Sequence, residues 1–140
     1  MYCKIENKDL HDVVTTNIVQ QSSFWGRIKN RQGFKPVAFE YEVSDDMLLP
    51  ASSGKKLIQD DLLVLLKYVD SKHCFAYIPY GPEEEPESEN HGLFLEELSE
   101  VLRPHLPKNC MFIRYDLPWE NQWAREDDFF DQNGNWLGPP

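Results

Sequence analysis

The chain has 140 residues, 41% hydrophobic and 13% aromatic, which is enough for one domain with a sizeable core and excludes a disordered or collagen-like chain. Its 14 Lys and Arg face 24 Asp and Glu, and the resulting charge of −10 repels a polyanion and excludes non-specific coating of nucleic acid. No apolar run approaches the roughly 20 residues that span a bilayer, and the start MYCKIENKDLHDVV lacks a signal-peptide core. A cytoplasmic protein with no integral membrane segment is therefore expected.

In chain order, the first distinct element follows Gln20-Gln21-Ser22-Ser23, where a serine can accept from free helix N–H groups, and Gly33 supplies a left-handed stop. This predicts a short helix over residues 23–31, with Phe24 and Ile28 one turn apart and Arg27, Lys29, Asn30 and Arg31 making the remaining surface basic. Residues 36–43, PVAFEYEV, place Val37, Phe39, Tyr41 and Val43 on one side of a strand and Ala38, Glu40 and Glu42 on a wet side.

A loop, DDMLLPASSGKK, separates that strand from the almost continuously apolar residues 62–69, which their shortness and flanking turn residues assign to a strand. Asp70-Ser71-Lys72-His73 turns the chain into CFAYIP, so residues 62–79 are expected to be a hairpin. The acidic run 83–89 reads as a solvated loop, since it lacks the ligand alternation and central glycine of an EF-hand. Phe94, Leu98, Val101 and Leu102 recur at helical spacing over residues 91–103, with Asn90 as a cap and Pro104 and Pro107 as stops. A strand over 110–115 completes the order helix, strand, strand, strand, helix, strand.

Beyond Trp119, acids and amides mix with Trp123, Phe129, Phe130 and Trp136 without a period. Such a segment either returns to cover the sheet or awaits a partner. The expected organisation is a domain over 1–119 and an aromatic, acidic tail over 120–140.

Most catalytic chemistries find no support. Ser52-Ser53-Gly54 lacks the Gly-x-Ser-x-Gly turn of a serine hydrolase, and Gly54-Lys55-Lys56 lacks the upstream glycine of a phosphate-cradling loop. The four histidines are scattered, and Cys3, Cys74 and Cys110 form no Cys-x-x-Cys pair, so no metal site is expected and the thiols read as reduced and mostly buried. Asp116, just past a buried strand, reads equally as a cleft residue or as the ion-pair partner of Arg114. Lys29 is a solvated charge or an anion contact.

Taken in order, QQSSFWGRIKNRQGF, LLVLLKYVDSKHCFAYIPYGP, LFLEELSEVL and CMFIRYDLPW resemble the amino-terminal part of the FemABX family of peptidyltransferases, over roughly residues 18–119. The pieces that carry the resemblance are the Gln-Ser-x-x-Trp helix start, the Ala-Tyr-Ile-Pro-x-Gly-Pro strand end and the Arg-x-Asp-x-x-Trp segment. The resemblance implies an α+β fold, a mixed and mainly antiparallel sheet flanked by helices, similar to the first of two fused acyltransferase-like (GNAT) domains. It implies transfer of glycine, alanine or serine from aminoacyl-tRNA to the stem peptide of UDP-MurNAc-pentapeptide or a lipid-linked peptidoglycan precursor.

By the same resemblance, Lys29 falls where the first helix offers a lysine to the acceptor's pyrophosphate, and Asp116 where an aspartate contacts the acceptor. Arg114 and Tyr80 are further candidates for this surface, although some relatives carry a basic residue where this chain has Tyr80 and an aromatic where it has Met111. No catalytic residue is carried over, and without a pyrophosphate loop no coenzyme A or other cofactor is expected. The family's second domain has no counterpart before Pro140, so the resemblance implies that a further domain or a homologous partner completes the reaction. Two other readings remain: a non-catalytic module keeping part of the precursor-binding surface, and an acyl-CoA acyltransferase, which the missing loop disfavours.

Overall fold

The run Leu62–Leu66 is apolar at every position because both of its sides are buried: it lies in the middle strand of a five-stranded sheet with a helix on each face. The computed structural model describes residues 2–44, 58–119 and 130–138. Within them, β1 (Tyr2–Lys8), α1 (Ser23–Arg31), β2 (Lys35–Ser44), β3 (Ile58–Tyr68), β4 (Cys74–Pro79), α2 (His91–Leu102) and β5 (Cys110–Asp116) follow in chain order. Strands β1 to β4 form an antiparallel meander. β5 runs parallel to β4, a connection that requires the crossover supplied by α2. The fold is thus α+β with a mixed, mainly antiparallel sheet.

One face of the sheet holds the main core. Phe94, Leu98 and Leu102, spaced four apart on α2, bury against Phe39, Tyr41 and Val43 of β2, Leu62, Val64 and Leu66 of β3, and Ala76 and Ile78 of β4. Burial of each large apolar side chain is worth about 1.5–3 kcal/mol, so this layer supplies most of the driving force. Asn90 occupies the cap position of α2, but its side chain makes no capping bond, contrary to the sequence reading.

The opposite face is covered only in part. Ser22 accepts from the Trp25 amide at 3.2 Å to open α1, and Gly33, at φ +92°, ends the turn after it, as the sequence implies. α1 packs on β2 and β3, and on that side of β2 Ala38 is buried, contrary to the sequence reading, while Glu40 and Glu42 are half-buried. β1 is an element that sequence reasoning missed, because only Cys3 and Ile5 turn inward while Lys4, Glu6 and Lys8 alternate outward. Lys8 reaches across β2 to Asp61 at 2.8 Å, and Asp61 also accepts from the Val14 amide at 2.7 Å. The β4–β5 pairing shifts register between Cys74 and Ala76, a bulge that places Met111 and Phe112 at the outer edge.

The β3–β4 ladder runs only from Tyr68↔Cys74 to Leu65↔Tyr77. Where the strands then part, the buried side chain of Gln21 enters between them. Its Nε2 donates to the Leu63 carbonyl at 3.2 Å and the Pro79 carbonyl at 2.7 Å, and its Oε1 accepts from the Leu63 amide at 2.7 Å. The amide thus does for the parted strands what a ladder partner would. A Cβ at position 81 would lie 2.9 Å from Gln21 Nε2, so the close approach requires Gly81. Gln21→Ala leaves three buried backbone groups without partners, at about 1–3 kcal/mol each, so urea unfolding should show a loss of about 3 kcal/mol or more. A loss below about 1 kcal/mol would mean that water takes over these bonds.

Candidate functional site

The parallel pair β4 and β5 ends with Pro79 opposite Asp116, and the polar side chains of this end lie on the face away from α2. Strand alternation puts Tyr77, Arg114 and Asp116 on that face, while Ile78 and Tyr115 turn toward the core. The Tyr77 hydroxyl donates to Asp116 Oδ2, and Arg114 Nε donates to Oδ1 at 3.3 Å. The Arg114 guanidinium also lies 5.8 Å from the centre of the Tyr77 ring. Burial, then the bond to Asp116, pushes the Tyr77 hydroxyl up to about 12, so it remains a proton donor at neutral pH.

Asp116 is therefore a carboxylate oriented by two donors, with lone pairs left to accept from a ligand hydroxyl or amide. Of the two sequence alternatives, the ion pair is present: Asp116 pairs with Arg114 at the end of β5. Tyr80 follows Pro79 with φ 50° and is 48% exposed. A non-glycine residue in this left-handed region costs about 1–3 kcal/mol, which the pinned strand end at Pro79 and Gly81 must hold in place.

On the same side of the sheet, a second group of charges gathers around the turn after α1. Lys29 Nζ donates to Gln32 Oε1 at 3.0 Å and lies 5.0 Å from the Trp25 ring centre and 5.8 Å from that of Phe34. Lys67, on β3, donates to the Gln32 carbonyl at 3.5 Å and lies 5.0 Å from the Phe34 ring centre. Two ammonium groups thus share one aromatic ring. The indole N–H of Trp25 is buried and has no acceptor among the described residues.

The structure brings Arg114 and Asp116 together, sets Tyr80 just past the strand end opposite Asp116, and places Lys29 and Lys67 each near the Phe34 ring. Among the described residues no hydrogen bond or ion pair joins Lys29 to Asp116. Sequence reasoning missed Tyr77, Lys67 and Gln21. Lys67 was findable as the charge that breaks LLVLL, and Tyr77 as the polar-tipped residue alternating with Ala76 and Ile78. The histidines stay apart, with His73 on Asp70, His91 on Glu85 and His105 on Asn7, and no group of three metal-ligating side chains assembles among the described residues. Cys74 is buried, while Cys3 and Cys110 are half-buried, and all three are free thiols.

No described helix is long and apolar enough to cross a membrane. Trp123, Phe129 and the loop after Ser44 lie outside the described residues. In the tail, Phe130 and Trp136 bridge across a turn organised by Asp131, with their rings 5.2 Å apart and both exposed. Comparisons of the chain with protein families, curated proteins and solved structures find no match.

Apart from these groups, Asp60 lies beneath the acidic loop and accepts from the Tyr41 hydroxyl at 3.4 Å. Burial, with Glu83 and Glu84 nearby, raises its carboxyl to about 6. Between its ordinary value near 4 and about 6, the folded chain holds a proton that the unfolded chain has lost. Asp60 thus subtracts stability as pH rises through this window, and the deficit is constant above it. Asp60→Asn should be neutral at pH ~4 and more stable than the parent by about 1–2 kcal/mol at pH ~7, compared by urea unfolding. A difference independent of pH would remove Asp60 as its source.

Proposed function

We propose that this chain is a FemABX-type, GNAT-like domain that binds a peptidoglycan precursor for aminoacyl transfer, with glycine, alanine or serine delivered from aminoacyl-tRNA. The observation that carries the reading is the meeting of its three motif segments at one end of β4 and β5. Gln21 of the helix start bonds to the Pro79 carbonyl at 2.7 Å, and Pro79 pairs with Asp116 of the Arg-x-Asp segment. Segments far apart in sequence thus meet at one strand end, and the mixed, mainly antiparallel sheet agrees with the fold that the resemblance implies. Agreement of fold is analogy, so the weight rests on that meeting of segments.

In this reading Lys29 supplies a point charge to the precursor's diphosphate, and Asp116, held by Tyr77 and Arg114, accepts from the acceptor peptide or orients its amine. An aminoacyl ester is already activated, so alignment and oxyanion stabilisation suffice without a covalent enzyme nucleophile. A non-catalytic binding module is the second reading, favoured by Phe130, Trp136 and Leu137, which are all exposed and offer an apolar contact to a partner.

Calorimetric titration with UDP-MurNAc-pentapeptide, with UDP as control, tests the proposal. Saturable binding that depends on the peptide is expected. Lys29→Ala should weaken it about tenfold with unchanged melting, since a charge-assisted bond is lost. Asp116→Asn should weaken the peptide-dependent part alone. No binding by the folded chain rejects the precursor reading, whereas binding without amide formation from charged tRNA selects the module.

A further inference from the structure

Cys74 and Cys110 are partners across the parallel strands β4 and β5. Directly paired residues of neighbouring strands lie about 4.8 Å apart and point to the same face, and a disulfide needs Cα atoms about 4.4–6.8 Å apart. That face is the one α2 covers: Cys110 packs against the main core, and Cys74 alternates with the core residues Ala76 and Ile78. The Cys74 amide donates to the Asn109 carbonyl at 3.2 Å, which pins the two chains together at this point. Between Cys74 and Ala76 the pairing shifts register, so the ladder gives way beside Cys110 and leaves its backbone room to adjust.

The two thiols differ in what they can reach. Cys74 is fully buried, and burial, followed by the neighbouring Cys110 thiol, pushes its own thiol above the ordinary value. Cys110 is half-buried and lines a groove of about 620 Å³ beside the end of α2, together with Ser99, Leu106 and Met111. Both are free thiols with neutral acceptors: Cys74 Sγ donates to Asn109 Oδ1 at 3.9 Å, and Cys110 Sγ to the Phe112 carbonyl at 3.4 Å. Cys3, the remaining thiol, is on β1, three strand spacings or about 14 Å from β4. An outer thiol in front of a buried one is thus found at one place, where the outer can meet a reagent and the inner can resolve the product.

We infer that Cys74 and Cys110 form a reversible dithiol–disulfide pair, oxidised by a small-molecule disulfide that enters the groove and reacts first with Cys110. Cys110 gives up its proton, and its sulfur attacks one sulfur of the oxidant R–S–S–R. The bond between Cys110 and R–S forms, the S–S bond of the oxidant breaks, and the leaving thiolate takes up a proton. Cys74 then loses its proton, and its sulfur attacks that of Cys110, forming the bridge and expelling the second thiolate, which is protonated in turn. Two electrons pass from the protein to the oxidant, and two molecules of R–SH leave. The bridge closes the crossover through α2 into a loop and locks β4 to β5 at the end away from Asp116. It is independent of the precursor reading.

Incubation of the full chain with glutathione disulfide, followed by alkylation of the remaining thiols and peptide mapping by mass, tests the inference. Cys74 and Cys110 should be lost to alkylation together, in one linked pair of peptides that dithiothreitol separates, while Cys3 is still alkylated. In Cys74→Ser the glutathionyl group should stay on Cys110, and in Cys110→Ser the buried Cys74 thiol should react about tenfold more slowly or less. The bridged parent should melt about 10 °C above the reduced chain. A folded parent that does not react, that keeps glutathione on Cys110 without bridging, that bridges through Cys3, or whose three thiols react alike overturns the inference. So does a bridge that leaves the melting temperature unchanged or lowers it, since the folded strands would then be strained to make it.

Discussion

The amide of Gln21 is the constraint on which the candidate surface depends. β3 and β4 begin as a regular hairpin and then part, and two strands that part leave backbone donors and acceptors in the interior. One side chain satisfies three of them. It thereby fixes the position of Pro79, and through it the direction in which the chain leaves β4 at Tyr80 and Gly81. The residue sits in the single helical turn Val19–Gln21 immediately before α1, so the same contact ties the start of that helix to the sheet. A surface assembled from α1, the β4 end and the β5 end has a common anchor.

The two faces of the sheet divide the labour. α2 lays a continuous apolar stripe on one face and carries most of the burial. The other face receives a helix of only nine residues, seated on β2 and β3, and β4 and β5 are left to present Phe75, Tyr77, Phe112, Arg114 and Asp116. Stability thus comes chiefly from the side covered by α2, and the other side is free to hold charges and exposed aromatic side chains.

Where a local pattern had one physical reading, the sequence disclosed it. The serine start and Gly33 stop of α1, the hairpin turn at Asp70, and the four-residue spacing of Phe94, Leu98 and Leu102 all reappear in place. β1 was illegible because an edge strand with two inward apolar residues carries too little period to register. Ala38 was read as wet because alternation assigns a side but not what packs on it. Of the site, Lys29, Tyr80, Arg114 and Asp116 came from motif resemblance and local position. Their companions did not: Lys67 reaches Phe34 of the basic turn only through the folded sheet, and Gln21 gains its meaning from a gap that only that sheet creates.

The bulge in β5 bears on how the molecule behaves toward copies of itself. An open sheet has two outer strands, and each offers unpaired backbone groups to any extended chain that drifts by. Here one border, β1, alternates Lys4, Glu6 and Lys8, and the other carries an extra residue that spoils the regular spacing of its donors. Both borders are poor templates for further growth, which works against edge-to-edge fibre formation.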